Sequence, residues 1–327
     1  MTDRDHAAHW MVGVDIGGTK VAAGLVHEEG QMGRFLRAPM NPKGTAEEGF
    51  AAVACVLDAL LSDPAIGGAK VAIGVCAPGP LDPQTGVVLN PPNVPCWRNF
   101  PLTAEIKRRY GVTARLDNDA NAAALAESKW GAGRGYRNVF YASLGTGIGT
   151  GIVLDGRIFH GRTGSAAEGG HVTIDVYGPT CNCGKKGCIE TLASGTAIAR
   201  RAQEAVSKDQ QSGARLLAMA NGTAAGIRSE MVGVAASAGD PLAKQILDDT
   251  IEFLAAWTGN IVDLLEPDVM ILGGGVSEML RPHFSNLQSR LKNWCVNARC
   301  DQIPLVPAHY GENSGVAGGA ALCFERS

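Results

Sequence analysis

The chain carries one histidine and three cysteines within 18 residues, as Glu168-Gly-Gly-His171 followed by Cys181-Asn-Cys183-Gly-Lys-Lys-Gly-Cys188-Ile-Glu190. A histidine nitrogen and three thiolates fill the tetrahedron of one zinc ion, and a filled tetrahedron leaves no position for a catalytic water. The expected ion is therefore structural Zn2+, held by His171, Cys181, Cys183 and Cys188. Glu168 and Glu190 flank these ligands, so a metal-fixed loop would present two carboxylates, strong acceptors for the hydroxyls of a polar substrate. A disulfide or a group of free thiols is the other reading of such a cluster. However, the cysteines total nine, an odd number, six of them are scattered (Cys55, Cys76, Cys96, Cys295, Cys300 and Cys323), and no apolar signal segment opens the sequence. That usage is expected of a reducing cytoplasm, where disulfides do not persist and clustered Cys with a nearby His favours metal.

Three glycine turns follow apolar runs: Asp15-Ile-Gly17-Gly18-Thr19-Lys20, Gly145-Thr146-Gly147-Ile148-Gly149 and Gly273-Gly274-Gly275. Glycine turns at strand ends leave backbone N–H groups free to face an anion. A tight hairpin needs glycine in any case, but three such turns, two of them matched, favour a bound nucleotide. Neither the Walker spacing nor Gly-x-Gly-x-x-Gly is present, so the site is neither a P-loop nor an ordinary dinucleotide fingerprint. Asp15 either stabilises its turn or orients Mg2+ or its waters near phosphates. The run Asp117-Asn118-Asp119-Ala120-Asn121 opens an alanine-rich helix. Asp117 is expected to be a helix cap, and a carboxylate at such a helix start suits a general base acting on a hydroxyl.

The elements that must position these groups follow from apolar periodicity. Strands are expected at 11–16 and 21–26 around the first glycine turn and at 138–144 and 151–154 around the second. Further strands are expected at 71–76, 113–116, 269–272 and 304–306. Helices are expected at 47–62, from residue 117 to about 130, through most of 193–260, and at 311–321. The two matched strand–turn–strand units lie about 130 residues apart, the sign of a duplicated architecture. A chain of 327 residues exceeds what one hydrophobic core usually serves, so two domains are expected. A net charge of -3 with no long basic run argues against nucleic acid as the main partner. No stretch reaches the roughly 20 apolar residues of a membrane helix. Residues 1–10 are expected to be a disordered leader.

Together these motifs resemble the ROK family of sugar kinases and sugar-responsive repressors, from about Val12 to the C-terminus. They are Asp-x-Gly-Gly-Thr-Lys, Asn-Asp-Ala-Asn-Ala-Ala, Gly-Thr-Gly-x-Gly, Glu-x-Gly-His and Cys-x-Cys-Gly-x-x-Gly-Cys-x-Glu. The resemblance implies an α/β fold of the actin/hexokinase-like (ribonuclease H-like) type, a two-domain ATPase fold with ATP and sugar in an interdomain cleft. A smaller domain would comprise 11–133 plus about 312–327, and a larger one, 134–311, would carry the zinc. Asp119 would be the catalytic base, and Asn93, Asn118, Asp119, Glu168, His171 and Glu190 would bind the sugar. Gly17, Gly18, Thr19, Lys20, Gly145, Thr146 and Gly147 would cradle the phosphates of Mg-ATP beside Asp15, with Gly273, Gly274 and Gly275 near the nucleoside. Lys185 stands where many members have a further cysteine, a position outside the ligand set. Ala77-Pro-Gly-Pro-Leu-Asp82 and Pro92-Asn-Val-Pro-Cys-Trp97 look most like the glucokinase branch, while N-acetylmannosamine and N-acetylglucosamine kinases share most of these residues. A repressor would carry an N-terminal DNA-binding domain, for which a dozen residues ahead of Asp15 leave no room, and a silent sugar sensor would not need Asp119. A homodimer is the assembly the family suggests.

Overall fold

The structure, a computed structural model, describes residues 10–68 and 71–324. The expected leader lies outside the described residues apart from Trp10, which opens β1 (Trp10–Ile16). β1 pairs antiparallel with β2 (Lys20–His27), and β2 with β3 (Met32–Pro39). Helix α1 (Ala46–Leu61) starts at a Thr45–Glu48 capping box, which satisfies two otherwise unpaired amides. β4 (Ile73–Ala77) pairs parallel with β1 and is buried throughout, as a continuous apolar run covered on both faces should be. A small hairpin of β5 (Leu81–Asp82) and β6 (Val87–Val88) and helix α2 (Leu102–Tyr110) lead to β7 (Ala114–Asn118), parallel to β4. The sheet order is β3-β2-β1-β4-β7, and α3 (Asp119–Lys129) leaves β7 with no intervening loop. On one face Val12, Val14, Ile73 and Val75 pack with Leu57, Leu60 and Trp97.

The second sheet begins with β8 (Asn138–Leu144), β9 (Ile148–Leu154) and β10 (Arg157–Ile158). Five helices follow: α4 (Glu190–Ala193), α5 (Gly195–Lys208), α6 (Ala214–Met219), α7 (Ser229–Ser237) and α8 (Pro241–Leu265). Asp240 caps α8 with Pro241 at its first position, a pairing that suits an amide-poor first turn. Then come β11 (Val269–Gly273), α9 (Gly275–Leu280), α10 (Phe284–Arg290), β12 (Leu305–Pro307) and α11 (Ser314–Leu322). The order is β10-β9-β8-β11-β12, with β8, β11 and β12 parallel.

The chain divides into two units: Met1–Asn138 with Gly151–Ala167 and His309–Ser327, and Val139–Thr150 with Glu168–Ala308. This differs from the expected division. Residues 151–167 belong with the first unit, which is the larger of the two. The cause is local packing: a Cβ at Gly151 would stand 2.6 Å from the Ala120 carbonyl, and His160 bonds Asp117. The segment from His309 is tied to α3 by Glu127. Within this unit α11 lies directly on the sheet. A Cβ at Gly13 or Gly74 would meet the Val316 or Gly319 carbonyl at 1.8 Å, so only glycine permits that approach.

Among the elements not expected are β3 and α2, and one expected strand starts earlier than its apolar run suggests. β3 is an edge strand, mostly half-exposed, without a clean alternation. α2 buries only Leu102 and Ile106, too thin an apolar stripe to stand out. The second hairpin's return strand begins at Ile148, inside the glycine run. Among the described residues no helix is long and apolar enough to cross a membrane.

Candidate active site and metal centre

In the first unit the carboxylates cluster at the β7–α3 junction. Asn118, not Asp117, is the N-cap: its Oδ1 accepts from the amides of Ala120 (2.9 Å) and Asn121 (3.4 Å). Asp117 is 1% exposed. Its Oδ1 accepts from Asn118 N (2.7 Å) and Asn121 Nδ2 (3.0 Å), and its Oδ2 lies 2.5 Å from His160 Nε2. The expected cap is thus a buried anchor, because the pleat turns Asp117 inward and leaves the next residue at the helix mouth. Asp119 is the first residue of α3 and is exposed; its Oδ1 accepts from the Ala120 amide at 2.8 Å. Its carboxylate stands at the positive end of the helix dipole.

Asp15, next to last in β1, is half-buried. Burial raises its pKa, against a hydrogen bond from the Cys76 thiol and the charge of Lys20. Burial also pushes Cys76 far up, so it stays a thiol and donates to Asp15 Oδ1 (3.5 Å) and the Gly315 carbonyl (3.1 Å). The Gly17 amide closes the hairpin on the Lys20 carbonyl at 2.9 Å. The expectation that this amide faces an anion is therefore corrected, and the turn is left to offer Gly18, Thr19 and Lys20. A Cβ on Gly18 would stand 2.8 Å from the carbonyl of the exposed Asn93, so the structure brings these two predicted residues together.

In the second unit the Gly145 amide likewise closes its turn on the Gly147 carbonyl (2.9 Å). The start of α5 clamps this turn, with Gly195 N on the Gly145 carbonyl and Thr196 Oγ1 on the Thr146 carbonyl, both 2.8 Å. Gly145, Thr146 and Gly275 meet on the wall of a cavity of about 790 Å³, alongside Thr196, Arg228, Ser229 and Glu230. Gly273 and Gly274 are not on that wall. Gly274 has φ +86° and caps α9, where a Cβ would stand 2.4 Å from the Leu144 carbonyl. Gly147 turns towards Glu190, whose Oε2 accepts from the Ile148 amide at 2.9 Å.

The ligand atoms of His171, Cys181, Cys183 and Cys188 all lie within 4.8 Å of one another. Cys183 and Cys188 sulfurs are 3.7 Å apart, and Cys181 Sγ is 3.6 Å from His171 Nδ1. Bonds of about 2.3 Å to zinc in a tetrahedron require sulfurs about 3.8 Å apart, so the donor set fits the ion. Two loop hydrogen bonds shape the cradle, Cys181 N to the Lys185 carbonyl (2.7 Å) and Gly184 N to the Cys181 carbonyl (2.9 Å). Lys185 Nζ donates to the His171 carbonyl at 2.7 Å. The Lys185 amide lowers the Cys183 thiol, whereas burial pushes Cys188 up to about 12; a bound cation would have to displace that proton. Glu168 is exposed, and the glycine after it is pinned on both sides: Gly169 N donates to Thr150 Oγ1 (2.8 Å) and its carbonyl accepts from Trp257 Nε1 (3.0 Å). His160, Thr150 and Trp257 carried no sequence signal, since each acts through a partner remote in the chain.

Residues 11–326 match the ROK family, and the chain belongs to it. It is 36% identical over 324 residues to the glucokinase of Streptomyces coelicolor, spanning 96% of this chain and 97% of that one. It is 30% identical over 314 residues to an N-acetylmannosamine kinase of Escherichia coli, spanning 95% and 97%. Among solved structures, the ROK family glucokinase of Streptomyces griseus, in complex with glucose and AMPPNP, superposes with a TM-score of 0.79 at 34% identity, covering 96% and 98% of the chains. The fold is accordingly the actin/hexokinase-like α/β fold.

Proposed function

We propose that the protein is an ATP-dependent hexose kinase acting on glucose at the 6-hydroxyl, with Asp119 as general base. The observation that carries this reading is the β7–α3 junction. There Asp119 is exposed as the first residue of α3, while its neighbours are held by the Asn118 cap and the Asp117 anchor. Asp119 accepts the proton of the sugar hydroxyl as that oxygen bonds to the γ-phosphorus, the bond from γ-phosphorus to the bridging oxygen breaks, and ADP leaves. Positioning and electrostatics do most of the work in such transfers. Asn93, Asn118, Glu168, His171 and Glu190 hold the sugar. The amides of Gly18 and Thr19 with Lys20 and the turn at Gly145, Thr146 and Gly147 meet phosphates, and the cavity at Gly275 takes the nucleoside. Mg2+ when bound would neutralise phosphate charge, and Asp15 is the residue that would hold it or its waters. Zn2+ on His171, Cys181, Cys183 and Cys188 fixes the segment that presents Glu168 and Glu190. The working protein is a cytoplasmic homodimer in this reading.

The similarity to an N-acetylmannosamine kinase supports a second reading with the same machinery and an N-acetylated hexose. ADP release with Mg-ATP against glucose, mannose, fructose, N-acetylglucosamine and N-acetylmannosamine separates the two. Replacing a general base costs about 10²–10⁴-fold in rate, the loss expected of Asp119→Asn. Wild-type turnover in that variant would refute the assignment.

A further inference from the structure

His160 lies two residues beyond β10 in the first unit, half-buried, with its Nε2 2.5 Å from Asp117 Oδ2. Asp117 divides its oxygens between two directions. Oδ1 takes the Asn118 amide and the Asn121 side-chain amide, both at the start of α3, and Oδ2 takes His160. Asn118 Oδ1 then takes the Ala120 and Asn121 amides. Asp119 sits inside this closed set of bonds, so the direction in which it leaves the sheet follows the orientation of the Asp117 carboxylate. His160 is the donor that holds the oxygen turned away from α3. Without it a buried carboxylate keeps donors on one oxygen and loses a strong partner on the other. The ring opens onto a cavity of about 300 Å³ shared with Arg115, Gln84 and Gly164. A carboxylate that lost this partner would be free to turn towards that cavity, loosening the bonds that orient the start of α3.

We propose that His160 is a positioning residue for the base Asp119, acting through Asp117; the inference rests on the kinase reading. A misplacement of about 1 Å away from the reacting atoms is enough to lower a rate by up to roughly 10²-fold. The test is a pair of variants of the full protein, His160→Gln and His160→Asn, both neutral and polar. The glutamine amide reaches the place of Nε2 and the shorter asparagine does not. His160→Gln is expected to keep kcat within about threefold of wild type. His160→Asn is expected to lower kcat at least about tenfold, with KM for ATP within about twofold, the pattern of a lost transition-state interaction rather than lost ground-state binding. Equal kcat for the two variants, or a loss in both that follows a common fall in melting temperature, overturns the positioning role. A wild type that turns over no hexose overturns the kinase reading instead, so the two failures are told apart before any variant is made.

Discussion

Glu127 offers the sharpest test of how α3 is held. It is fully buried, at 0% exposure, in the last turn of the helix. Its Oε2 accepts from the Ala132 amide at 2.8 Å, and its Oε1 accepts from the amides of His309 (2.8 Å) and Tyr310 (2.9 Å). A carboxylate near a helix C-terminus opposes the dipole by about 0.3–1 kcal/mol, so the three amides must outweigh that. In Glu127→Gln the oxygen can stay with His309 and Tyr310 while the NH2 group faces the Ala132 amide, donor against donor. Leaving that amide unsatisfied costs about 1–3 kcal/mol, and turning two charge-assisted bonds into neutral ones about 1 kcal/mol each. Removing the charge from the helix end returns less than 1 kcal/mol. The net loss is about 2–4 kcal/mol, against the roughly 5–15 kcal/mol that holds a typical domain together. At about 2–4 °C per kcal/mol for a body of this size, the melting temperature should fall by about 5–15 °C. Scanning calorimetry at neutral pH reads this directly. Glu127→Ala should be worse, because it strands all three amides and leaves a void. A Glu127→Gln protein melting within about 2 °C of wild type would show that these bonds do not carry the end of α3.

Asp15→Asn should raise the melting temperature at pH 7 while lowering kinase activity. Burial lifts the Asp15 pKa above its ordinary 3.8, so its contribution to stability is full below that value and is lost as pH rises through the folded-state pKa. The gain of the variant should therefore shrink towards pH 3.8, and a lower melting temperature at pH 7 would refute the sign. Purified protein should carry a single zinc per chain by elemental analysis, and chelation should lower both its melting temperature and its activity; full activity in a verified metal-free sample would remove the structural role. Gly74→Ala would place a methyl 1.8 Å from the Gly319 carbonyl, where no side chain can give way. A loss of at least the roughly 1–3 kcal/mol typical of overpacking is expected by urea titration, and unchanged stability would mean that α11 is not seated on this sheet as described.

What was legible in the sequence was what neighbours in the chain decide. The hairpin around Gly17 and Gly18 shows itself because apolar runs flank a glycine pair. The start of α8 shows itself because Asp240-Pro241 is both a cap and a first-turn residue. The candidate metal-binding cluster was visible because its residue types crowd into one loop, whose own short turns bring the sulfurs together. Even there the local rules had limits. Asp117 and Asn118 are equally good caps by type, and the choice between them fell to which one the pleat of β7 turns inward. The amides of Gly17 and Gly145 looked available for phosphate, yet each closes its own turn, which spacing alone does not reveal.

The remainder depends on polar bonds between remote residues. His160 reaches Asp117 across 43 positions, Trp257 reaches Gly169 across 88, and the His309 amide reaches Glu127 across 182. No periodicity registers such a pair, because the type of neither member signals the bond, and in two of the three one partner group is backbone. Two of these bonds anchor backbone next to the proposed site residues: Asp117 precedes Asn118 and Asp119, and Gly169 follows Glu168. A carboxylate on a helix start or an exposed loop has rotamer freedom of its own, so a fixed direction has to come from its surroundings. Residues that a motif identifies are therefore only half of a site. The other half is a set of buried partners whose replacement leaves every motif residue in place, and His160→Asn is the variant that isolates that half.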